Sequence, residues 1–326
     1  MNKEQLEQHQ ISIYFGAVIV AAVAGLVAPA ASQVLSALVT PVIAVLMYAM
    51  FLQIPFLDLR EGLGNRRFML ALLMANFIVI PLLVWALTRG LTHHPAILVG
   101  ALLVLLTPCI DYVVVFTHIG KGDSKLTLAA TPVLLLLQLM LLPLYLAFML
   151  SGDSAVVISI GPFVEAFVVL IVLPMVLAIA TAAGMKKSPF IERWNNAWAW
   201  MPVPAMAAVL VVVIASQIAF VVRDVDRLLP VIPVYVGFMF LAPLLGAWVA
   251  RLFKLPATTA RSVAFSSATR NSLVVLPLAL ALPEDIRGLA AAAVITQTLV
   301  ELVSELIYIR AIPALVWPGR QVPSGR

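Results

Sequence analysis

Residues 68–87 read FMLALLMANFIVIPLLVWAL, twenty consecutive positions without a charged side chain. Such a run constrains the fold more than any motif, because about 20 apolar residues in a helix cross the roughly 30 Å hydrocarbon core of a bilayer. Comparable runs recur along the 326 residues, of which 63% are hydrophobic and 11% charged. A soluble domain carries about 25% charge, so the chain reads as an integral, all-α membrane protein. Helices follow because an open sheet would leave backbone groups unpaired in lipid. Hydropathy and helix breakers place ten transmembrane helices, at 11–31, 34–56, 67–88, 95–119, 126–150, 155–183, 197–222, 228–253, 258–282 and 287–313. The polar start, MNKEQLEQHQ, with a long apolar stretch behind it, suits a retained first span better than a cleaved leader.

Basic residues then set the orientation. With the N-terminus inside, the cytoplasmic segments hold Lys3, Arg60, Arg66, Arg67, Lys121, Lys125, Lys186, Lys187, Arg193, Arg251, Lys254, Arg261, Arg320 and Arg326. The other side holds Arg89, Arg223, Arg227 and Arg287. Fourteen against four satisfies the positive-inside rule, with both termini cytoplasmic in a multi-pass bacterial-type inner membrane.

Four short stretches recur in order at a near-constant offset. QIPF (53–56) returns as QIAF (217–220), PLLVW (81–85) as PLLGAW (243–248), TPCIDYVV (107–114) as TRNSLVVL (269–276), and LAATPV (128–133) as LAAAAV (289–294). The offsets run from 161 to 164. Two units of five spans each enter the membrane from opposite sides, so the expected organisation is a five-plus-five inverted repeat. It comprises a cytoplasmic N-terminus (1–10), a first repeat (11–150), a second (151–313) and a cytoplasmic tail (314–326). Inverted repeats with interrupted helices mark alternating-access transporters, whose sites lie at the midplane.

The interruptions fall in helices 4 and 9. Thr107, Pro108 and Cys109 break the first, because a proline lacks a donor and clashes with the preceding turn. The small and polar run SSATRNS (266–272) breaks the second. Freed carbonyls and helix ends at such breaks can hold a cation or an oxyanion. Ionisable residues at membrane depth face a cavity or a partner: Asp111, Glu165, Arg270, Glu301, Glu305 and Arg310. Asp111 and Arg270 flank the two breaks, either as a structural ion pair or as parts of the binding and proton-exchange machinery. Glu301 and Glu305, spaced i, i+4, share a helix face. Glu305 and Arg310 sit towards the cytoplasmic end, where long side chains snorkel to water, and Glu165 is a candidate for an access path.

Other features are bland. His118 closes helix 4, where a histidine suits the helix dipole, and the His93-His94 pair lacks a third metal ligand. Trp194, Trp198 and Trp200 sit where an interfacial belt would. The single cysteine excludes an intramolecular disulfide and an all-cysteine metal cluster. No phosphate-binding GxxxxGK[ST] loop and no catalytic triad is present, so neither an ATP-driven pump nor an enzyme is expected. Nor is a cofactor, and nothing suggests nucleic acid.

Ten spans, the repeat and the paired breaks resemble the bile acid:sodium symporter superfamily. Within it, CIDYVVVFTHIGKGD (109–123) resembles the arsenite efflux permeases, with a helix-4 cysteine and a Lys121-Gly122-Asp123 turn, and SSATRNSLVV resembles the superfamily's helix-9 signature. The resemblance implies a panel domain of helices 1, 2, 6 and 7 and a core domain of helices 3–5 and 8–10. It also implies crossing broken helices and a Cys109 thiol that transiently holds As(III) or Sb(III), soft centres suited to sulfur. The substrate-binding set is Thr107, Pro108, Cys109, Arg270, Asn271 and Ser272. The coupling candidates are Asp111, Glu165 and Glu301. Where the family carries a helix-9 carboxylate, this chain has Ser272, so protons rather than sodium are the expected coupling ion. The expectation is arsenite or antimonite efflux by proton antiport; the alternative is transport of a small organic anion, possibly with sodium.

Overall fold

A computed structural model describes residues 3–28, 32–53, 64–110, 112–150, 165, 168–185 and 187–316. Among them the chain is helical, without a strand, except for one isolated antiparallel bridge between Pro108 and Arg270. We number the helices α1 (Lys3–Val27), α2 (Ser32–Phe51), α3 (Arg66–Leu91), α4 (Pro95–Leu105), α5 (Val113–Ile119) and α6 (Ser124–Met149). They continue as α7 (Val168–Met185), α8 (Pro189–Trp198), α9 (Pro202–Arg223), α10 (Val225–Leu252), α11 (Ala257–Ala268), α12 (Ser272–Leu280) and α13 (Glu284–Leu315).

Six of these, or seven if the 49° bend in α6 lies within one span, are long and apolar enough to cross a membrane. The protein is therefore a multi-pass, all-helical membrane protein. Three expected spans look different. The apolar part of α1 is short, Ser12–Val27, and the spans expected at 95–119 and 258–282 are each two separate helices.

Two compact units draw on both halves of the sequence. The first comprises Met1–Pro55, Val156–Leu228 and Leu273–Thr296. Here α1 packs on α9 at Gly25, where an added Cβ would stand 2.5 Å from Ala215 O; glycine lets the two backbones approach that closely. The Tyr48 hydroxyl of α2 lies 3.0 Å from Thr181 Oγ1 of α7 and accepts from Trp194 Nε1 of α8 at 3.0 Å. Helix α8 buries none of its residues, and Trp194 is 44% exposed, as an amphipathic helix at a membrane surface would be.

The second unit comprises Phe56–Ala155, Leu229–Ser272 and Gln297–Arg326. One construction occurs in it twice. Pro81 cannot donate to the carbonyl four residues earlier, and the chain opens into a π turn at Ala75–Val79. Tyr145 OH of α6 donates to the stranded Phe77 carbonyl at 2.6 Å. Likewise Pro243 in α10 leaves the Met239 carbonyl without its helical donor, and Tyr308 OH of α13 supplies one at 2.6 Å. The proline, its stranded carbonyl and the tyrosine all reappear at an offset of 162 or 163 residues. At the loop between α5 and α6, the Asp123 side chain caps α6 by accepting from Leu126 N–H at 3.1 Å. Ser262 pins that turn, its Oγ accepting from Asp123 N–H at 2.8 Å. This gives the Lys121-Gly122-Asp123 turn a structural role.

Candidate functional site

Helix α4 ends at Leu105 and α5 begins at Val113; α11 ends at Ala268 and α12 begins at Ser272. The two gaps meet. Cys109 N–H donates to Thr269 O at 3.1 Å, and Asn271 N–H donates to Thr107 O at 2.8 Å. Adding 162 to the donor's number and subtracting it from the acceptor's converts one bond into the other. The threonines match as well: Thr107 Oγ1 donates to Leu103 O and Thr269 Oγ1 to Phe265 O, both at 2.8 Å. Thr107 Oγ1 thereby occupies a carbonyl that a helix end would leave orphaned, whereas Phe265 O also accepts from Thr269 N–H at 3.0 Å. Thus backbone polarity exposed by breaking two helices in an apolar interior is satisfied by pairing the breaks with each other.

Every residue of the expected binding set lies at these breaks and is buried. Thr107, Ser272, Cys109, Arg270 and Asn271 are 1% exposed or less. Ser272 Oγ has no hydrogen-bond partner among the described residues. Asp111 lies outside the described residues. Glu165 is exposed and belongs to the first unit.

The Arg270 guanidinium is completely buried. Its Nη2 donates to Ser266 O at 2.5 Å, Ser267 O at 2.8 Å and Asn76 Oδ1 at 2.8 Å, while Nη1 reaches Leu105 O at 3.4 Å. Its Cζ stands 5.6 Å from the centre of the Phe238 ring, within cation–π range. The guanidinium thus sits at the C-terminal ends of α4 and α11, each carrying roughly half a negative charge. Two such ends together offset one positive charge, and among the described residues no carboxylate oxygen lies within ion-pair distance of the guanidinium.

The carboxylates are spoken for differently. Glu301, 3% exposed, accepts from the Arg270 backbone N–H at 3.0 Å and from Gln297 Nε2. The Tyr112 hydroxyl lies 2.5 Å from Glu301 Oε1 and 2.9 Å from Arg270 O. A phenol has one proton and a carbonyl can only accept. Both contacts are hydrogen bonds at once only when the Glu301 carboxyl brings a proton of its own. Glu305, completely buried, accepts from the Thr269 hydroxyl at 2.6 Å. The same hydroxyl also lies 2.8 Å from Phe265 O. Glu305 therefore does not snorkel to the cytoplasmic surface as expected. It lies on the α13 face turned towards the second break, four residues from Glu301, whereas Arg310 is exposed.

Asn76, Tyr112, Gln297 and Glu305 complete the site and were not among its expected members. Asn76 had a visible signal, as the one amide side chain inside the run 68–87. A lone tyrosine or glutamine on an apolar helix carries no comparable mark. No group of three or more His, Cys, Asp or Glu suited to a metal ion occurs among the described residues. His93, His94 and His118 are exposed.

Comparison with known proteins agrees with this architecture. Residues 40–224, more than half of the chain, match the model of the Sodium Bile acid symporter family. The uncharacterized sodium-dependent transporter YocS of Bacillus subtilis (strain 168) is 24% identical over 256 residues, spanning 78% of this chain and 77% of that protein. Neither match extends to the arsenite branch. With more than half of the chain matched by its model, the protein belongs to the sodium bile acid symporter family.

Proposed function

We propose that the protein is a secondary active transporter that exports a small uncharged As(III) or Sb(III) species in exchange for protons, by alternating access around the paired breaks. One observation carries the reading: the chain's only thiol, Cys109, stands in a break whose cation is balanced by helix ends. Such a site suits arsenous acid, which is neutral at pH 7, better than an anion, because both Nη groups of Arg270 are committed to protein oxygens. Binding would form an S–As bond and release one hydroxyl of the acid with the thiol proton as water. Cys109 is 0% exposed, so cargo reaches it only when the carrier adopts another conformation.

Glu301, by the donor count above, and Glu305, buried four residues away, are the exchangeable proton carriers; Asp111 and Glu165 are further coupling candidates. The inverted five-plus-five repeat of ten spans is supported by three hydrogen-bond constructions that recur at an offset of 162 or 163 residues. For the panel and core reading, the first unit contains α1, α2, α7 and α9, but it also takes in Leu273–Thr296, which that reading assigns to the core. The basic-residue asymmetry of the sequence supports cytoplasmic termini in a bacterial-type inner membrane.

The test is arsenite uptake into everted vesicles energised by a pH gradient. Wild type should accumulate arsenite, and Cys109→Ser should not while expressing and melting near normally. Full transport by the serine variant would discard the metalloid. A second reading, sodium-coupled uptake of an organic anion, is favoured by the sodium-dependent relative. Replacing sodium with choline abolishes transport only if that reading is right.

A further inference from the structure

We propose that the Arg270 guanidinium is a tethered cation, filling an oxygen cage of the kind a free alkali-metal ion would take and thereby closing that cage to sodium. This inference is independent of the identity of the cargo. The cage consists of three main-chain carbonyl oxygens, from Leu105, Ser266 and Ser267, and the Asn76 side-chain oxygen. Main-chain carbonyls at half-helix C-termini are the ligands with which broken-helix transporters hold coupling cations. A buried arginine usually meets a carboxylate. Here Glu301 takes the Arg270 backbone N–H instead, and no carboxylate contacts the guanidinium among the described residues.

Asn76 is oriented for this task. Its Nδ2 donates to Leu72 O at 3.1 Å and to Ser266 Oγ at 3.0 Å, which leaves Oδ1 facing Arg270. The π turn at Ala75–Val79 that presents it is a common device at functional sites. A covalently attached cation cannot be released to either side of the membrane. The cage therefore keeps the same charge throughout a transport cycle, and a sodium gradient cannot be tapped through it.

Melting temperatures of detergent-purified protein test this in choline, lithium, sodium, potassium and guanidinium chlorides at constant ionic strength. Wild type should be indifferent to which cation is present. Arg270→Ala should melt well below wild type in choline and recover, saturably, about half of the loss in sodium or guanidinium, since a ligand that binds only the folded state raises its stability. Arg270→Lys, which keeps a tethered charge, should stay indifferent to sodium. An alanine variant that folds but responds to none of these cations overturns the proposal. Wild type is also decisive by itself, should the alanine variant not fold. A saturable sodium-dependent rise in its melting temperature that Asn76→Ala abolishes would put a free ion in the cage, and its absence upholds the proposal.

Discussion

Thr107-Pro108-Cys109 and Thr269-Arg270-Asn271 occupy equivalent places in the two breaks, yet they do opposite work. Their backbones are interchangeable: the same bridge, the same pair of N–H to carbonyl bonds and the same threonine closing each preceding helix. Their side chains share nothing beyond that threonine. The first break contributes a proline without a donor and the thiol. The second contributes a cation and a backbone N–H that needs an acceptor, which Glu301 provides. The supporting helices diverge in the same way. Helix α13 carries Gln297, Glu301 and Glu305, while the positions in α6 at the 163-residue offset that relates Tyr145 to Tyr308 are Leu134, Gln138 and Leu142. The backbone problem is thus solved in the same way at both breaks, while the buried carboxylates among the described residues, Glu301 and Glu305, both contact the second.

The largest expected consequence of this asymmetry is at its central pair. Arg270→Met leaves three carbonyls and Asn76 without their donor and should cost about 3–5 kcal/mol, as when one partner of a buried charged cluster is removed. Pro108→Ala only adds a buried N–H, at about 1–3 kcal/mol. Detergent melting of the two variants should rank them in that order; equal losses would mean that the breaks are alike in energy as well as geometry.

Glu301→Gln preserves the shape of a protonated carboxyl. It should fold, continue to exchange cargo in counterflow, and fail to accumulate cargo from a pH gradient. Infrared spectra should show the carbonyl stretch of protonated carboxylic acid at neutral pH, weakened in Glu301→Gln and again in Glu305→Gln. An unchanged band would remove these residues from the proton path.

Packing against the second break gives a smaller effect. A Cβ at Gly246 would stand 2.6 Å from Ser267 Oγ and 3.0 Å from Ala264 Cα, so Gly246→Ala should cost about 1–3 kcal/mol through overpacking. Smallest is the difference between Thr107→Val and Thr269→Val. Both lose a bond to their own helix, but only Thr269 also contacts Glu305. The Thr269 variant should melt lower by the equivalent of about 1 kcal/mol, the net worth of one further hydrogen bond. Indistinguishable melting would show that Glu305 is not tied to the break.

Pro81 and Pro243 mark what the sequence made legible. They stand at matching positions in matching spans, and a proline in a helix leaves one carbonyl stranded wherever it occurs. Tyr145 and Tyr308 could not be chosen as the remedy, because which helix passes a stranded carbonyl is a matter of packing. Arg270 was legible as a buried charge beside a break, and Cys109 as a thiol beside the other. Pairing Arg270 with Asp111 seemed natural from the alignment of the breaks. Asp111 lies outside the described residues; among those described, the guanidinium meets main-chain carbonyls and the Asn76 side-chain oxygen, and a carbonyl is a partner that every residue carries and no sequence pattern distinguishes.

By itself the sequence determined that the chain is helical and membrane-embedded and where its helices break, and it carries four short stretches that recur at offsets of 161 to 164. Those properties follow from local facts: the length of apolar runs, the missing donor of proline and the spacing of recurring residues. Only the tertiary structure decided that the breaks satisfy each other, that Glu305 turns inward, and that Arg270 is balanced by helix ends. These depend on which donors and acceptors meet across 160 or more residues of chain, and the cost of leaving any of them unpaired in a low-dielectric interior is what fixes the meeting.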